Sequence, residues 1–217
     1  MGEPGIFVSE MFISIQGESS FAGWPCVFIR TAGCNLKCTY CDTLYARNGG
    51  RKVTLRNCLR FVEDSGLKLV EITGGEPLLQ EELPRLVKML IDREYTVLIE
   101  TNGSLDISPI PEKAIRIMDI KCPSSGMMHK NDYENLKRLH PADEVKFVIG
   151  NFEDYLFASQ WARRVLEESP VRVIHFSPVF GLLEPSTLAE WILKDKIPVR
   201  LNLQLHKYIW SPDAKGV

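Results

Sequence analysis

Residues 26–43 read CVFIRTAGCNLKCTYCDT, an apolar run followed by a loop with three cysteines. The run is short and rich in β-branched and aromatic residues, which predicts a buried β-strand. Glycine and polar residues begin where the run ends. Apolar runs that end in polar, Gly or Pro residues recur further along the chain, in VEITGGEP, LIETNGS, MDIKCPSS, KFVIG and IHFSP. A strand with a polar loop at its carboxyl end is therefore the repeating unit.

Apolar residues at helical spacing lie between several of these strands. One such helix ends at Gly66, a C-cap, and in the next Pro84 predicts a kink or a late start. Further segments were assigned from the same patterns: helices over 131–140, 153–169 and 186–196, and a final strand over 199–206. Strand and helix thus alternate about six times, which predicts an α/β protein with a parallel sheet.

The distribution of the polar strand ends distinguishes two parallel architectures. In an open doubly wound sheet, functional residues concentrate at one switch point, whereas in a barrel all strand ends share one mouth. Here polar residues follow nearly every strand, which favours a TIM-type barrel. A complete eight-stranded barrel usually needs about 250 residues. The 217 residues therefore predict one domain over 1–217, a partial barrel of about six parallel strands that is open on one side.

Composition and charge exclude several classes of function. The chain is 45% hydrophobic, with a formal net charge of −2 and no basic block, so we expect no nucleic-acid partner. The apolar runs are shorter than the roughly 20 residues of a membrane helix, and the N-terminus resembles no signal peptide. We expect a soluble, cytoplasmic protein without a membrane partner.

The six cysteines divide into two groups. Cys26 opens a strand and Cys58 lies on an amphipathic helix, so both are predicted to be core residues; the role of Cys122 is open. Nothing points to secretion, and a chain of this length does not depend on disulfides, so a metal or cluster site is the better interpretation of the remaining three.

Cys34, Cys38 and Cys41 have the spacing C-x3-C-x2-C within eight residues. One alternative is a zinc site, which would need a fourth ligand from Cys26, Cys122 or a distant histidine. The other is a four-iron cluster held by three thiolates instead of the usual four. Its fourth iron would keep an open position, which an amino acid can occupy through its amine and carboxylate.

This cysteine motif, with the aromatic Tyr40 inside it, resembles the radical S-adenosylmethionine superfamily. GGEP, residues 74–77, follows one strand later and matches the motif with which that superfamily holds the amino group of its cofactor. The resemblance implies a [4Fe–4S] cluster on Cys34, Cys38 and Cys41. It also implies S-adenosylmethionine as cofactor, whose cleavage yields a 5′-deoxyadenosyl radical.

Longer stretches resemble one family within this superfamily, the 7-carboxy-7-deazaguanine synthases. They are SIQGESSFAGWPCVFIRTAGCNLKCTYCDT, DIKCPSS and LQLHKY. The resemblance implies conversion of 6-carboxy-5,6,7,8-tetrahydropterin to 7-carboxy-7-deazaguanine with loss of ammonia, in the pathway to queuosine. It further implies Mg²⁺ held by the hydroxyl of Thr43, a homodimer, and flavodoxin or ferredoxin as electron donor.

Five residues are candidates for binding such a substrate. Arg30 lies in an otherwise apolar strand, and its guanidinium suits a substrate carboxylate, although a salt bridge within the protein is the alternative. Glu18 is an acceptor for the donor edge of a pterin, and the alternative is a solvated loop acid. His206, predicted to end the last strand, is a candidate donor. Gln16 and Thr73 complete the set.

Other residues at the strand ends are candidates for the cofactor. They are Gly74, Gly75 and Glu76 of the GGEP motif, Asp42 beside Cys41, and Glu100, Asn102, Lys121, Ser124 and Ser177.

Two other functions share some of these features. A glycyl-radical activating enzyme has the same cysteine spacing, but commonly carries His and Asn after the last cysteine, where this chain has Asp42 and Thr43. A non-catalytic iron–sulfur or zinc module would bind no S-adenosylmethionine, and would leave GGEP and the polar strand ends without a role.

Overall fold

The computed structural model describes residues 2–217, which form one sheet of nine strands with helices on one face. The strands are β1 Gly5–Ile15, β2 Pro25–Thr31, β3 Arg51–Thr54, β4 Leu69–Gly74, β5 Thr96–Thr101, β6 Ile115–Asp119, β7 Glu144–Ile149, β8 Val173–Pro178 and β9 Arg200–Leu201.

The sheet follows the order β3-β1-β2-β4-β5-β6-β7-β8-β9. From β2 to β9 each strand is parallel to its neighbour, while β1 and β3 join antiparallel at one edge. The two end strands do not pair with each other, so the barrel stays open. The prediction of a partial barrel is confirmed: six of the parallel strands have five residues or more, and β9 has only two.

Five α-helices accompany the sheet, namely α1 Leu55–Ser65, α2 Leu83–Ile91, α3 Phe152–Glu168, α4 Pro185–Asp195 and α5 His206–Ile209. The side chain of Thr54 caps α1 by accepting from the Asn57 N–H at 3.2 Å. Gly66 ends α1 with a φ of 70°, as predicted for a C-cap. The late start expected from Pro84 is also confirmed, because α2 begins at Leu83.

Strands and helices alternate less regularly than the sequence predicts. Strands β5 and β6 are joined by a loop, and the helix predicted over 131–140 is a 3₁₀ helix at Tyr133–Arg138. The buried side chain of Asn135 explains this tight turn. Its amide donates to the carbonyls of Gly103 and Leu105 and accepts from the Ile107 N–H, which draws the segment against the preceding loop.

The final predicted strand, 199–206, was too long. Strand β9 ends at Leu201, and Asn202 makes the last backbone bond to β8, with its N–H donating to the Phe176 carbonyl at 2.9 Å. Beyond it the chain bends toward the loop after β1, because the Leu205 N–H donates to the Gly17 carbonyl at 3.0 Å. His206 therefore starts the short helix α5 and does not end a strand.

The two faces of the sheet have different compositions. The outer face is apolar and packs with the helices into one large core. The inner face carries a small apolar cluster near the amino ends of the strands, built from Cys26, Phe28, Leu69, Leu98 and Ile117. Because side chains alternate along a strand, the next inward positions lie nearer the carboxyl ends. These positions are polar: Arg30, Glu71, Thr73, Glu100 and Asp119.

Candidate active site

A cavity of about 750 Å³ lies at the carboxyl ends of the strands. Fifteen of the predicted site residues line it: Gln16, Glu18, Arg30, Cys34, Cys38, Cys41, Asp42, Thr43, Thr73, Gly74, Gly75, Glu100, Asn102, Lys121 and His206. Residues far apart in the chain thus meet at one mouth, as expected for a barrel.

Cys34, Cys38 and Cys41 are partly exposed to this cavity, and all six cysteines are free. Within residues 2–217, no three His, Cys, Asp or Glu side chains surround a point that a single metal ion could occupy. The three thiols therefore form no ready-made mononuclear zinc site. A cluster makes a different demand, because each thiolate binds a different iron and the sulfurs stand further apart.

Cys26, Cys58 and Cys122 are fully buried. The prediction that Cys26 and Cys58 are core residues is confirmed, and the open case, Cys122, also lies in the core. Burial raises the pKa of the Cys58 thiol to about 11, which keeps it protonated at neutral pH.

The GGEP loop packs tightly against the cysteine loop. A Cβ on Gly74 would collide with Thr31, and one on Gly75 would collide with the backbone of Gly33, so side chains are excluded at both positions. The two backbones are also hydrogen-bonded, because the Gly75 N–H donates to the Thr31 carbonyl at 3.2 Å and the Glu76 N–H donates to the Gly33 carbonyl at 2.8 Å.

Glu76 of the same loop lies outside the cavity lining. Its side chain is fully buried and accepts from the Leu78 N–H at 3.0 Å, Thr101 Oγ1 at 2.9 Å and the Asn102 N–H at 2.8 Å. These bonds tie the GGEP loop to the end of β5. The amide of Asn102 then donates to Asn35 Oδ1 at 3.0 Å, which connects β5 to the cysteine loop.

Arg30 makes a salt bridge and also faces the cavity. Its Nε lies 2.7 Å from Glu10 Oε1 across the β1–β2 pair, and Tyr45 donates to the same oxygen at 2.8 Å. Within residues 2–217, neither terminal amino group of the guanidinium donates a hydrogen bond to the protein. The protein pairing considered for Arg30 is therefore real, and it leaves the fork of the guanidinium free for an anion.

Glu18 is not a solvated loop acid. Its Oε2 lies 2.6 Å from the Nζ of Lys146 on β7, and its Oε1 accepts from Gln204 Nε2 at 2.8 Å. Lys146 also contacts Glu100. Burial alone would raise the pKa of Glu100, but the Lys146 ammonium outweighs this effect and lowers it.

Glu71, on the neighbouring strand β4, is a second buried carboxyl group. Burial and the nearby charge of Glu100 raise its pKa to about 8, although Gln16 Nε2 donates to it. At neutral pH Glu71 is therefore mainly protonated. The oxygen of the Gln16 amide accepts from the Glu18 N–H at 3.0 Å, which fixes the orientation of that amide.

His206 lies against Gly17, where a Cβ would collide with the imidazole. Burial lowers the pKa of His206, so the ring is neutral at pH 7. Beside it, Asp42 accepts from Lys207 at 2.8 Å and from Gln204 at 3.3 Å. Burial would raise the pKa of Asp42, but the Lys207 ammonium lowers it.

The other predicted residues differ in position. Thr43 lies beside Cys41, with its hydroxyl 3.8 Å from the thiol. Lys121 pairs with Asp119 at 2.7 Å at the cavity wall. Ser124 and Ser177 do not line the cavity, because Ser124 bonds Asp154 and Ser177 accepts from Asn202.

Sequence reasoning missed several residues of the cavity wall. Glu71 had the same signal as Arg30, a lone charge in an apolar strand, and Lys146 had a similar one, in a strand whose only other charge is Glu144. Three further omissions had no local signal: Asp119, Gln204 and Lys207. The tail 212–217 covers one side of the cavity. Lys215 of this tail lies 4.5 Å from the ring centre of Tyr45.

Comparisons with known proteins agree with this geometry. The family model of the radical SAM superfamily matches residues 28–180. The 7-carboxy-7-deazaguanine synthase of Chlorobaculum tepidum is 47% identical over 220 residues, covering 99% of each chain. That of Koribacter versatilis is 43% identical, covering 97% of this chain and 99% of the relative. The crystal structure of QueE from Escherichia coli shares the fold, with a TM-score of 0.77 at 22% identity over 92% of this chain and 94% of that one.

Proposed function

The chain belongs to the radical SAM superfamily and, within it, to the family of 7-carboxy-7-deazaguanine synthases, and from this premise we propose that it converts 6-carboxy-5,6,7,8-tetrahydropterin to 7-carboxy-7-deazaguanine. Ammonia leaves as the ring contracts. The observation that carries the proposal is one cavity lined by three free cysteines, by Arg30 with its open fork, and by the side chains of Glu18 and Glu100.

Membership of the superfamily implies a [4Fe–4S] cluster and S-adenosylmethionine. The residues present fit both groups, since three free thiols stand at the cavity and Gly74 and Gly75 of the GGEP loop line the same cavity. When bound, these groups supply the radical that removes a hydrogen atom from the carbon bearing the substrate carboxylate.

The chain's own residues bind and orient the substrate. The fork of Arg30 holds the carboxylate, because Glu10 fixes Nε and leaves the terminal amino groups free. Glu18 and Gln16 accept from the amino group and ring N–H of the pterin. His206, neutral at pH 7, donates to a ring oxygen or nitrogen, and Thr73 contacts the same ligand.

Further assignments follow from position. Thr43 would supply a protein ligand to a bound Mg²⁺ ion, which would help to hold the substrate. Gly74, Gly75, Asp42, Asn102 and Lys121 hold S-adenosylmethionine. Glu76 acts by fixing the GGEP loop, and Ser124 and Ser177 support the wall from behind.

The proposal also covers the domain organisation of the enzyme, its location, its oligomeric state and its electron donor. Residues 1–217 form one radical SAM domain that acts in the cytoplasm as a homodimer and receives electrons from flavodoxin or ferredoxin. Among residues 2–217, no helix is long and apolar enough to cross a membrane.

The test is an anaerobic incubation of reconstituted protein with 6-carboxytetrahydropterin, S-adenosylmethionine, Mg²⁺ and a strong reductant, followed by mass spectrometry. The expected product has lost ammonia and carries the deazaguanine chromophore. Formation of 5′-deoxyadenosine without that product would leave the radical chemistry in place and overturn the substrate assignment.

A further inference from the structure

Lys146 is a buried cation at the centre of the cavity floor. It lies on β7 with 6% of its side chain exposed, 2.6 Å from Glu18 and in contact with Glu100. Glu18 belongs to the loop after β1 and Glu100 to β5. One ammonium thus joins three elements that are far apart in the sequence.

The two carboxylates keep acceptor capacity for a ligand. The second oxygen of Glu18 accepts from Gln204 at 2.8 Å, and the second oxygen of Glu100 accepts from Thr73 Oγ1 at 3.1 Å. Each carboxylate oxygen has two lone pairs, and the protein occupies one on each. Both side chains line the cavity, where the remaining lone pairs are accessible.

Glu71 shows how this environment changes the pKa of a carboxyl group that contacts no cation. The pKa of Glu71 is raised to about 8 by burial and by Glu100, whereas the pKa of Glu100 is lowered because Lys146 outweighs its burial. Burial would lower the pKa of Lys146, but Glu100 and Glu18 raise it.

Other charged or titratable groups surround Lys146, Glu18 and Glu100. They are Glu71 on β4, Asp119 on β6, Lys121 after β6, Asp42 on the cysteine loop, His175 on β8 and His206 on α5.

We propose that Lys146 is a positioning residue that holds the side chains of Glu18 and Glu100 aimed at the donor edge of the substrate. The inference rests on the proposed function and deepens it. Carboxylates only accept hydrogen bonds, so this floor selects a heterocycle edge rich in amino and ring N–H groups. A ligand that presents oxygen acceptors at that edge is repelled.

The test compares Lys146→Met and Lys146→Arg with the wild type, as reconstituted holoenzyme with S-adenosylmethionine bound. Anaerobic calorimetry gives the Kd for 6-carboxytetrahydropterin between pH 6.5 and 9. Each value is divided by the wild-type value at the same pH, so that titration of the ligand cancels. Arg116→Met is the matched control, because Arg116 forms a buried ion pair with Asp143 at 2.7 Å that is not part of the cavity lining.

Lys146→Met is expected to weaken pterin binding by about 10- to 100-fold at pH 6.5, since a protonated Glu100 is a poorer acceptor. Part of this loss is regained at pH 9, where Glu100 ionises without its cation. Lys146→Arg keeps most of the affinity, and the Kd for S-adenosylmethionine changes in neither variant. An affinity loss that is the same at every pH, or that Arg116→Met reproduces, would overturn the inference.

If Lys146→Met does not fold, the double variant Lys146→Met/Glu100→Gln replaces it, because it contains no unpaired Glu100 charge. Weak pterin binding by the double variant, independent of pH, supports the inference, and wild-type affinity overturns it. Wild-type protein that cleaves S-adenosylmethionine but binds no pterin would overturn the proposed function itself, and the inference with it.

Discussion

The two ends of the barrel interior are built from the same strands and differ in almost every property. At the amino ends, Phe28, Leu98 and Ile117 close the interior with an apolar cluster. One inward position further along the same strands, Arg30, Glu100 and Asp119 face an open cavity. On each of these strands, the residue that packs in the apolar cluster and the residue that faces the cavity are therefore only two positions apart.

The largest expected effect contrasts a cysteine at the mouth with one in the core. Cys38→Ala should abolish the cluster and all activity, because it leaves only two thiolates to hold it. The three thiolates of the wild type are already one fewer than a four-iron cluster usually takes. Cys58→Ala should keep its full iron content, at a cost of about 1 kcal/mol in stability from the small void. Iron and sulfide per chain, measured after anaerobic reconstitution, distinguish the two. Equal iron loss in both variants would contradict the assignment of the cluster ligands.

A smaller effect is expected when two arginines that lie in strands, Arg30 and Arg116, are compared. Arg30→Ala should weaken pterin binding by about 100-fold, roughly 3 kcal/mol, with S-adenosylmethionine binding intact, because only the carboxylate clamp is lost. Arg116→Ala, near the amino end of β6, should instead lower the free energy of unfolding by about 3 kcal/mol, since it leaves Asp143 buried without its cation. Titration calorimetry and thermal melts of both variants check the contrast. Unchanged pterin affinity in Arg30→Ala would refute the clamp.

The smallest effect concerns Glu71, which lies between the two ends. Its folded-state pKa is about 8 against 4.5 for a free side chain, so between these pH values the folded protein holds the proton more tightly than the unfolded chain does. This group therefore makes the wild type less stable as the pH rises through that window. Glu71→Gln removes the titration and should gain about 1–3 kcal/mol at pH 8.5 with little change at pH 5.

Thermal melts of Glu71→Gln and of the wild type across this pH range provide the measurement. Glu63→Gln, on the exposed face of α1, is the control and should show no gain that grows with pH. Parallel stability curves for Glu71→Gln and the wild type would show that Glu71 titrates normally.

Much of the fold could be predicted because its signals are local. Strand β2 and the strands from β4 to β8 follow from short apolar runs, and Gly66 and Pro84 mark helix boundaries. The errors arose where a distant contact decides the backbone. Asn135 draws its segment into a 3₁₀ helix through the loop at 103–107, and the Leu205 N–H leads the chain away after β9 by bonding the Gly17 carbonyl. Neither contact leaves a pattern in the neighbouring residues.

The sequence by itself determined the parallel strands, the cysteine loop and the GGEP turn, because these depend on residues within a few positions of one another. Tertiary structure alone decided how the charges pair. Lys146 lies 128 residues from Glu18 and 46 from Glu100, and Arg30 meets Glu10 only through the register of β1 on β2. Strand register and barrel curvature bring these groups together in a buried site, where electrostatic interactions are strong enough to set which of them are ionised.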